Sequence, residues 1–174
     1  EGQQPQMHSV SADGALTLIT PPEISAADHV VKQCATVPAE GDQDEALWCL
    51  FDGFGMARRH DVAQNRWAPV PLAQLPGAPT ELRAILPTSA VDAWIASDVG
   101  VYSYQGGVPR VANRAGSGGN LPSDDTRALA VDAEGKVYIA TAAGVGIASR
   151  DGQTFAWDAP IIGGEGGLGN VDCR

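Results

Sequence analysis

The feature that most restricts this chain is a repeat. Arg83 stands eleven residues before Trp94, and Arg127 stands eleven before Tyr138. Gly55, Gly100 and Gly144 follow one another at intervals of 45 and 44 residues. Leu75-Pro76 and Leu121-Pro122 open the two closest copies. A looser copy, LWCLFDGFGMARRHDVAQNRWAP, puts Trp48, Gly55 and Trp67 where Tyr138, Gly144 and Trp157 stand. It carries one extra residue in the turn 52–54, and an acidic loop, 40–45, lengthens its first hairpin. The opening run HSVSADGALTLITPP matches IASRDGQTFAWDAP when Ser11 is laid on Ser149, so that Asp13, Gly14 and Pro22 fall on Asp151, Gly152 and Pro160.

Within one unit the residues read as strands. In LPSDDTRALAVDAEGKVYIATAAGVGIASRDGQTFAWDAP, short apolar and β-branched runs at 127–131, 136–141, 145–149 and 154–157 are bounded by Asp, Gly, Ser and Pro. Asp-Gly between alternating apolar residues is a hairpin signal, since both residues tolerate the positive φ of a tight turn. Thr80 followed by Glu81 looks locally like a capped helix start, but the repeat makes 80–86 the first strand of its unit, and Pro87 agrees.

Units of 40 to 45 residues with four strands each imply an all-β chain, a β-propeller of four-stranded blades arranged radially around a channel. The segments would be a flexible tail at 1–6, the outer half of a blade at 7–22, three full blades at 23–72, 73–117 and 118–162, and the start of a further blade at 163–174. One blade cannot bury both faces, so the recurrent aromatics Trp48, Trp94 and Tyr138 are expected between blades. The recurrent glycine is expected where the backbone bends or is closely approached. About three blades with partial blades at both ends do not close a ring. The chain is therefore expected to need remaining blades, a second copy or another subunit over its ends. Beginning at Glu1 without an initiator Met, it is expected to be processed or part of a longer protein.

Eleven Lys plus Arg against 21 Asp plus Glu give a net charge of −10, which disfavours nucleic acid and anionic membranes as partners. No apolar run approaches the ~20 residues of a membrane-spanning helix. Cys34 and Cys49 fall on neighbouring strands of one blade and are either a disulfide or two buried thiols; Cys173 has no evident mate and is available to a partner.

LPSDDTRALAVDAEGKVYIATAAGV resembles the repeat of the two-component-regulator propellers, with a hydrophobic strand, Asp-x-x-Gly, an aromatic-Ile-x-Thr strand and Gly. The likeness is strong over 121–155, good over 75–104 and weak before residue 69. It implies an extracytoplasmic sensing propeller, often a carbohydrate binder; related blades serve as interaction platforms. Ser149-Arg-Asp-Gly-Gln-Thr-Phe also resembles an Asp-box turn of sialidase-like propellers, one residue short between Asp151 and Thr154.

Candidate chemistry sits at the channel mouth. Arg83, Arg127 and Arg174 each open an innermost strand. Either they grip a carboxylate, sulfate or carbohydrate through bidentate bonds, or they pair with acids such as Asp125 or Glu81 and fix the blade junction. Asp52 and Asp98 lie in corresponding turns and are weaker ligand candidates. His8, His29 and His60 lack metal-ligand spacing, and the 40–45 loop lacks the spacing of an EF-hand. Neither a metal nor a cofactor is expected. The leading expectation is a non-catalytic extracytoplasmic binding or sensing module. The alternatives are a scaffold subunit and a carbohydrate-active enzyme.

Overall fold

The structure is a computed structural model that describes residues 8–10, 15–19, 30–38, 45–61 and 66–163. A two-stranded sheet comes first, β1 (His8–Val10) with β2 (Leu16–Leu18). Three four-stranded antiparallel meanders follow. The first is β3 (Val31–Val37), β4 (Ala46–Phe51), β5 (Gly55–Asp61) and β6 (Arg66–Pro71). The second is β7 (Leu82–Pro87), β8 (Asp92–Ser97), β9 (Gly100–Gln105) and β10 (Val108–Ala112). The third is β11 (Thr126–Val131), β12 (Val137–Thr141), β13 (Gly144–Asp151) and β14 (Thr154–Ile161). Among the described residues the only helical turn is the 3-10 turn Leu72–Gln74.

Thr80, which resembled a helix cap, instead anchors the start of β7. Its N–H and hydroxyl, with the Glu81 N–H, donate to the Asp98 carboxylate at 3.1, 2.5 and 3.2 Å. The last two strands of the third meander run further than their apolar cores suggest, to Asp151 and Ile161.

The sheets touch through their first strands, β3 against β7 and β7 against β11, and bury apolar side chains between faces, a propeller-like arrangement. Trp48, Leu50 and Met56 of the first sheet meet Leu82, Ile85, Ile95 and Tyr102 of the second. Trp94 and Val101, on the other face of the second sheet, meet Leu121, Val137, Ile139 and Ala148. The period-2 alternation of each strand produces this two-sidedness. In β8 the odd-numbered Ala93 and Ile95 face back and Trp94 faces forward, and all three are buried.

The recurrent glycines open β5, β9 and β13 with φ of 134°, 126° and 137°. At each, a Cβ would overlap the carbonyl oxygen of the neighbouring last strand: Val70, Ala112 and Ile161 respectively. The spacing of these glycines therefore records a steric demand repeated in every sheet.

Tyr138 departs from expectation. It occupies the place of Trp48 and Trp94, yet is only half-buried, and its hydroxyl donates to Asp132 Oδ2 at 3.2 Å. Among the described residues no sheet packs on its face of the third meander.

Candidate functional site

The innermost strands β3, β7 and β11 share one irregularity. Their pairing with β4, β8 and β12 slips between Val31 and Gln33, between Leu82 and Ala84, and between Thr126 and Ala128. The extra residue of each bulge is a cation: Lys32, Arg83 or Arg127. A bulge re-aims its unpaired side chain, so the three cations leave the regular alternation at the same point of each sheet.

The turns beside them are equally regular. The backbone N–H groups of Asp52, Asp98 and Ala142 donate to the carbonyls of Val30, Glu81 and Asp125 at 2.8, 3.4 and 3.0 Å. Each of those carbonyls lies two residues before the bulge cation. Asp52 and Asp98 thus hold corresponding places, while the third sheet has Ala142 there.

Carboxylates and cations alternate across the sheets. Lys32 Nζ donates to Glu81 Oε1 at 2.5 Å and lies 3.7 Å from Asp52 Oδ1. Arg83 Nε donates to Glu81 Oε2 at 3.0 Å, and its Nη1 pairs with the Asp125 carboxylate. Arg127 Nη2 donates to Asp125 Oδ2 at 3.0 Å. The order is Asp52, Lys32, Glu81, Arg83, Asp125, Arg127. Glu81 and Asp125 each join a cation of their own sheet to one of the preceding sheet.

Hydrogen bonds from Lys32 and then Arg83 hold the Glu81 carboxyl below its usual range. Burial pushes Asp98 up, but the bonds from Thr80 and the Glu81 N–H outweigh it and leave Asp98 lowered as well. These groups are therefore ionised acceptors near neutrality, whereas a general acid needs its proton held toward neutral pH. A free anion approaching Arg83 would compete with two intramolecular carboxylates. Arg174 and Cys173 lie outside the described residues, as does His29. Among the described residues no group of three or more His, Cys, Asp and Glu side chains is placed to hold a metal.

Lys32 escapes sequence reasoning because counting eleven residues back from Trp48 lands on Val37. The lengthened hairpin hides the register, and the pairing of Ala35 with Trp48 restores it. Two further inter-sheet grips were also missed. Gln33 Oε1 accepts from the Ile85 N–H at 3.0 Å, and Gln33 Nε2 donates to the Ile85 carbonyl at 3.2 Å. Arg150 reaches back to the second sheet, with its guanidinium 5.2 Å from the Trp94 ring centroid and bonds to Ser103 Oγ and the Ala93 carbonyl at 3.0 and 2.9 Å.

On the far face of the first sheet, Cys34 and Cys49 stand opposite each other on β3 and β4 and form a disulfide, with Cα atoms 4.2 Å apart. That spacing is close to a non-hydrogen-bonded antiparallel pair, whose side chains lie nearest each other.

The fold and the ionic joint together define a propeller-like all-β module. No protein-family model matches the sequence, and no curated protein does either. Among solved structures, the chain is similar to the extracellular domain of a hybrid two-component system protein from B. thetaiotaomicron, with a TM-score of 0.58 at 14% identity. The match covers 88% of this chain and 22% of that one, so the chain spans about a fifth of the length of its neighbour. At that identity the likeness is one of fold.

Proposed function

We propose that this chain is a non-catalytic binding or sensing module that works outside the cytoplasm as part of a larger propeller. The observation that carries the reading is the ionic joint. Glu81 at its centre is held ionised by cations of two adjacent sheets, and Asp125 pairs with cations of two sheets in the same way, an arrangement suited to fixing blades in register. The Cys34–Cys49 disulfide supports an oxidising compartment. The solved neighbour is itself an extracellular domain of a signalling protein. In this reading the blades run over 23–72, 73–117 and 118–162, 7–22 is the outer half of a blade and 163–174 begins another. Arg83, Arg127 and Asp52 are parts of the joint, Asp98 fixes the Thr80 and Glu81 backbone beside it, and ligand is met elsewhere on the module.

A second reading, a scaffold that docks other subunits, is favoured by the forward face of the third sheet. There Tyr138, Val145 and Ile147 are half-buried, and Ile161 is 39% exposed. Thermal-shift titration of the purified chain with acidic and neutral oligosaccharides, with product analysis, separates the readings. The sensing reading expects a saturable rise in Tm with the sugar recovered intact. Cleaved or eliminated product would make the module an enzyme, and an unmoved Tm with every sugar would favour the scaffold.

A further inference from the structure

A cleft of about 650 Å³ lies between β10 and β14, the outer strands of the second and third sheets. Its size is in the range of small-ligand sites. Phe155 and Trp157 alternate along β14 and so share a face, which forms one wall. Their rings stack at 5.9 Å between centroids with planes 20° apart. Phe155 also sets its ring against buried Trp94 at 5.5 Å, so the aromatic wall is tied into the core between the two sheets. Across the cleft stands Arg110 of β10, whose Nη2 donates to Gln153 Oε1 at 2.5 Å from the hairpin that precedes β14.

We propose that this cleft is the module's ligand site and that its ligand is an acidic saccharide. The ring stacks on Trp157 and the acid group is held by Arg110. The proposal rests on the binding-module reading above and names the site and ligand class that reading needs. Three observations select the class. An aromatic wall beside hydrogen-bonding groups suits a pyranose, which has an apolar C–H face and a rim of hydroxyls. Arg110 carries the only charge among the described residues lining the cleft, a cation on a chain of net charge −10. Its planar donor fork matches a carboxylate or sulfate. The edge strands also disfavour an extended peptide, because Pro109 in β10 and Pro160 in β14 each remove a backbone donor that strand addition would use.

Calorimetric titration of the full chain with trigalacturonate and with maltotriose tests the proposal. Trigalacturonate should bind the more tightly. Trp157→Ala should weaken both sugars by about tenfold or more, while Arg110→Gln should weaken trigalacturonate alone by about tenfold. Circular dichroism checks that Trp157→Ala is folded. Arg110 is on an edge strand and only partly buried, so Arg110→Gln keeps the test sharp if the tryptophan variant is not. Trigalacturonate binding that both variants leave unchanged would move the ligand off the cleft and overturn this inference while leaving the binding module standing. Equal affinity for the two sugars would overturn the acidic class. Binding of neither would overturn both the cleft and the saccharide-sensing reading beneath it.

Discussion

Glu81 takes charge-assisted bonds from cations of two sheets, and its side chain is still 41% exposed. Solvent screening therefore limits each pair to about 1 kcal/mol or less, and the joint sets register more than it adds stability. Its pH dependence follows from the lowered pKa. A carboxyl whose folded pKa lies below the ordinary 4.5 contributes fully above that value and loses its contribution as the pH falls below it. Glu81→Gln should lower Tm slightly at pH 7, and the difference from the parent chain should shrink as the pH falls below 4.5 in a melting series. A difference undiminished at pH 3 would assign the loss to packing. Gly144 makes a harder demand: its φ is 137° and a side chain there would meet the Ile161 carbonyl. Gly144→Val should destabilise by about 1–3 kcal/mol in urea denaturation, and a neutral result would remove the steric reason for the repeat's glycine.

The first hairpin of the first sheet is longer than its counterparts, and the disulfide crosses it. Closing a loop of 15 residues stabilises by about 3 kcal/mol in the chain-entropy model. Intact mass of unreduced protein after alkylation should show Cys34 and Cys49 protected. The double variant Cys34→Ala, Cys49→Ala should lose stability of that order, whereas free thiols in oxidised material would remove both the staple and the argument for export. The same hairpin shows what a sequence conveys at this scale. Equal spacing made Arg83, Arg127 and the glycines legible, because bulge and steric demand recur at fixed intervals. Lys32 was hidden by an insertion that shifts count but not register. That the arginines meet carboxylates was one of two readings the residues allowed, and the pairing of Arg83 with Asp125 of the adjacent sheet rests on an inter-sheet distance that no spacing encodes. Arg150 had no such route, since its counterparts by spacing are Gly106 and Asp61, and the arginine that lies over Trp48, Arg58 at 5.7 Å, comes from the strand paired with Trp48 in its own sheet.

Across the whole molecule the three sheets are alike in strand order and unlike in what covers them. The forward faces of the first and second sheets bury Trp48 and Trp94 at 1% and 2% exposure. The corresponding face of the third has half-buried Tyr138 with Ile147 paired beside it, and Ile161, paired with Val145, at 39% exposure. The residues on this face are those of a covered surface, which is why the sequence suggested a third buried aromatic. If about 400 Å² of it met another sheet, the burial would be worth ~10 kcal/mol at ~25 cal/mol per Å², a large driving force for association. Ile147→Lys tests whether that contact forms in the chain studied alone. On a face open to water the change should alter stability by no more than about 0.5 kcal/mol, and it should shift light-scattering mass toward the monomer if the parent chain self-associates. A loss of several kcal/mol would mean that Ile147 is already covered, and the face would then be an internal interface in place of a docking surface.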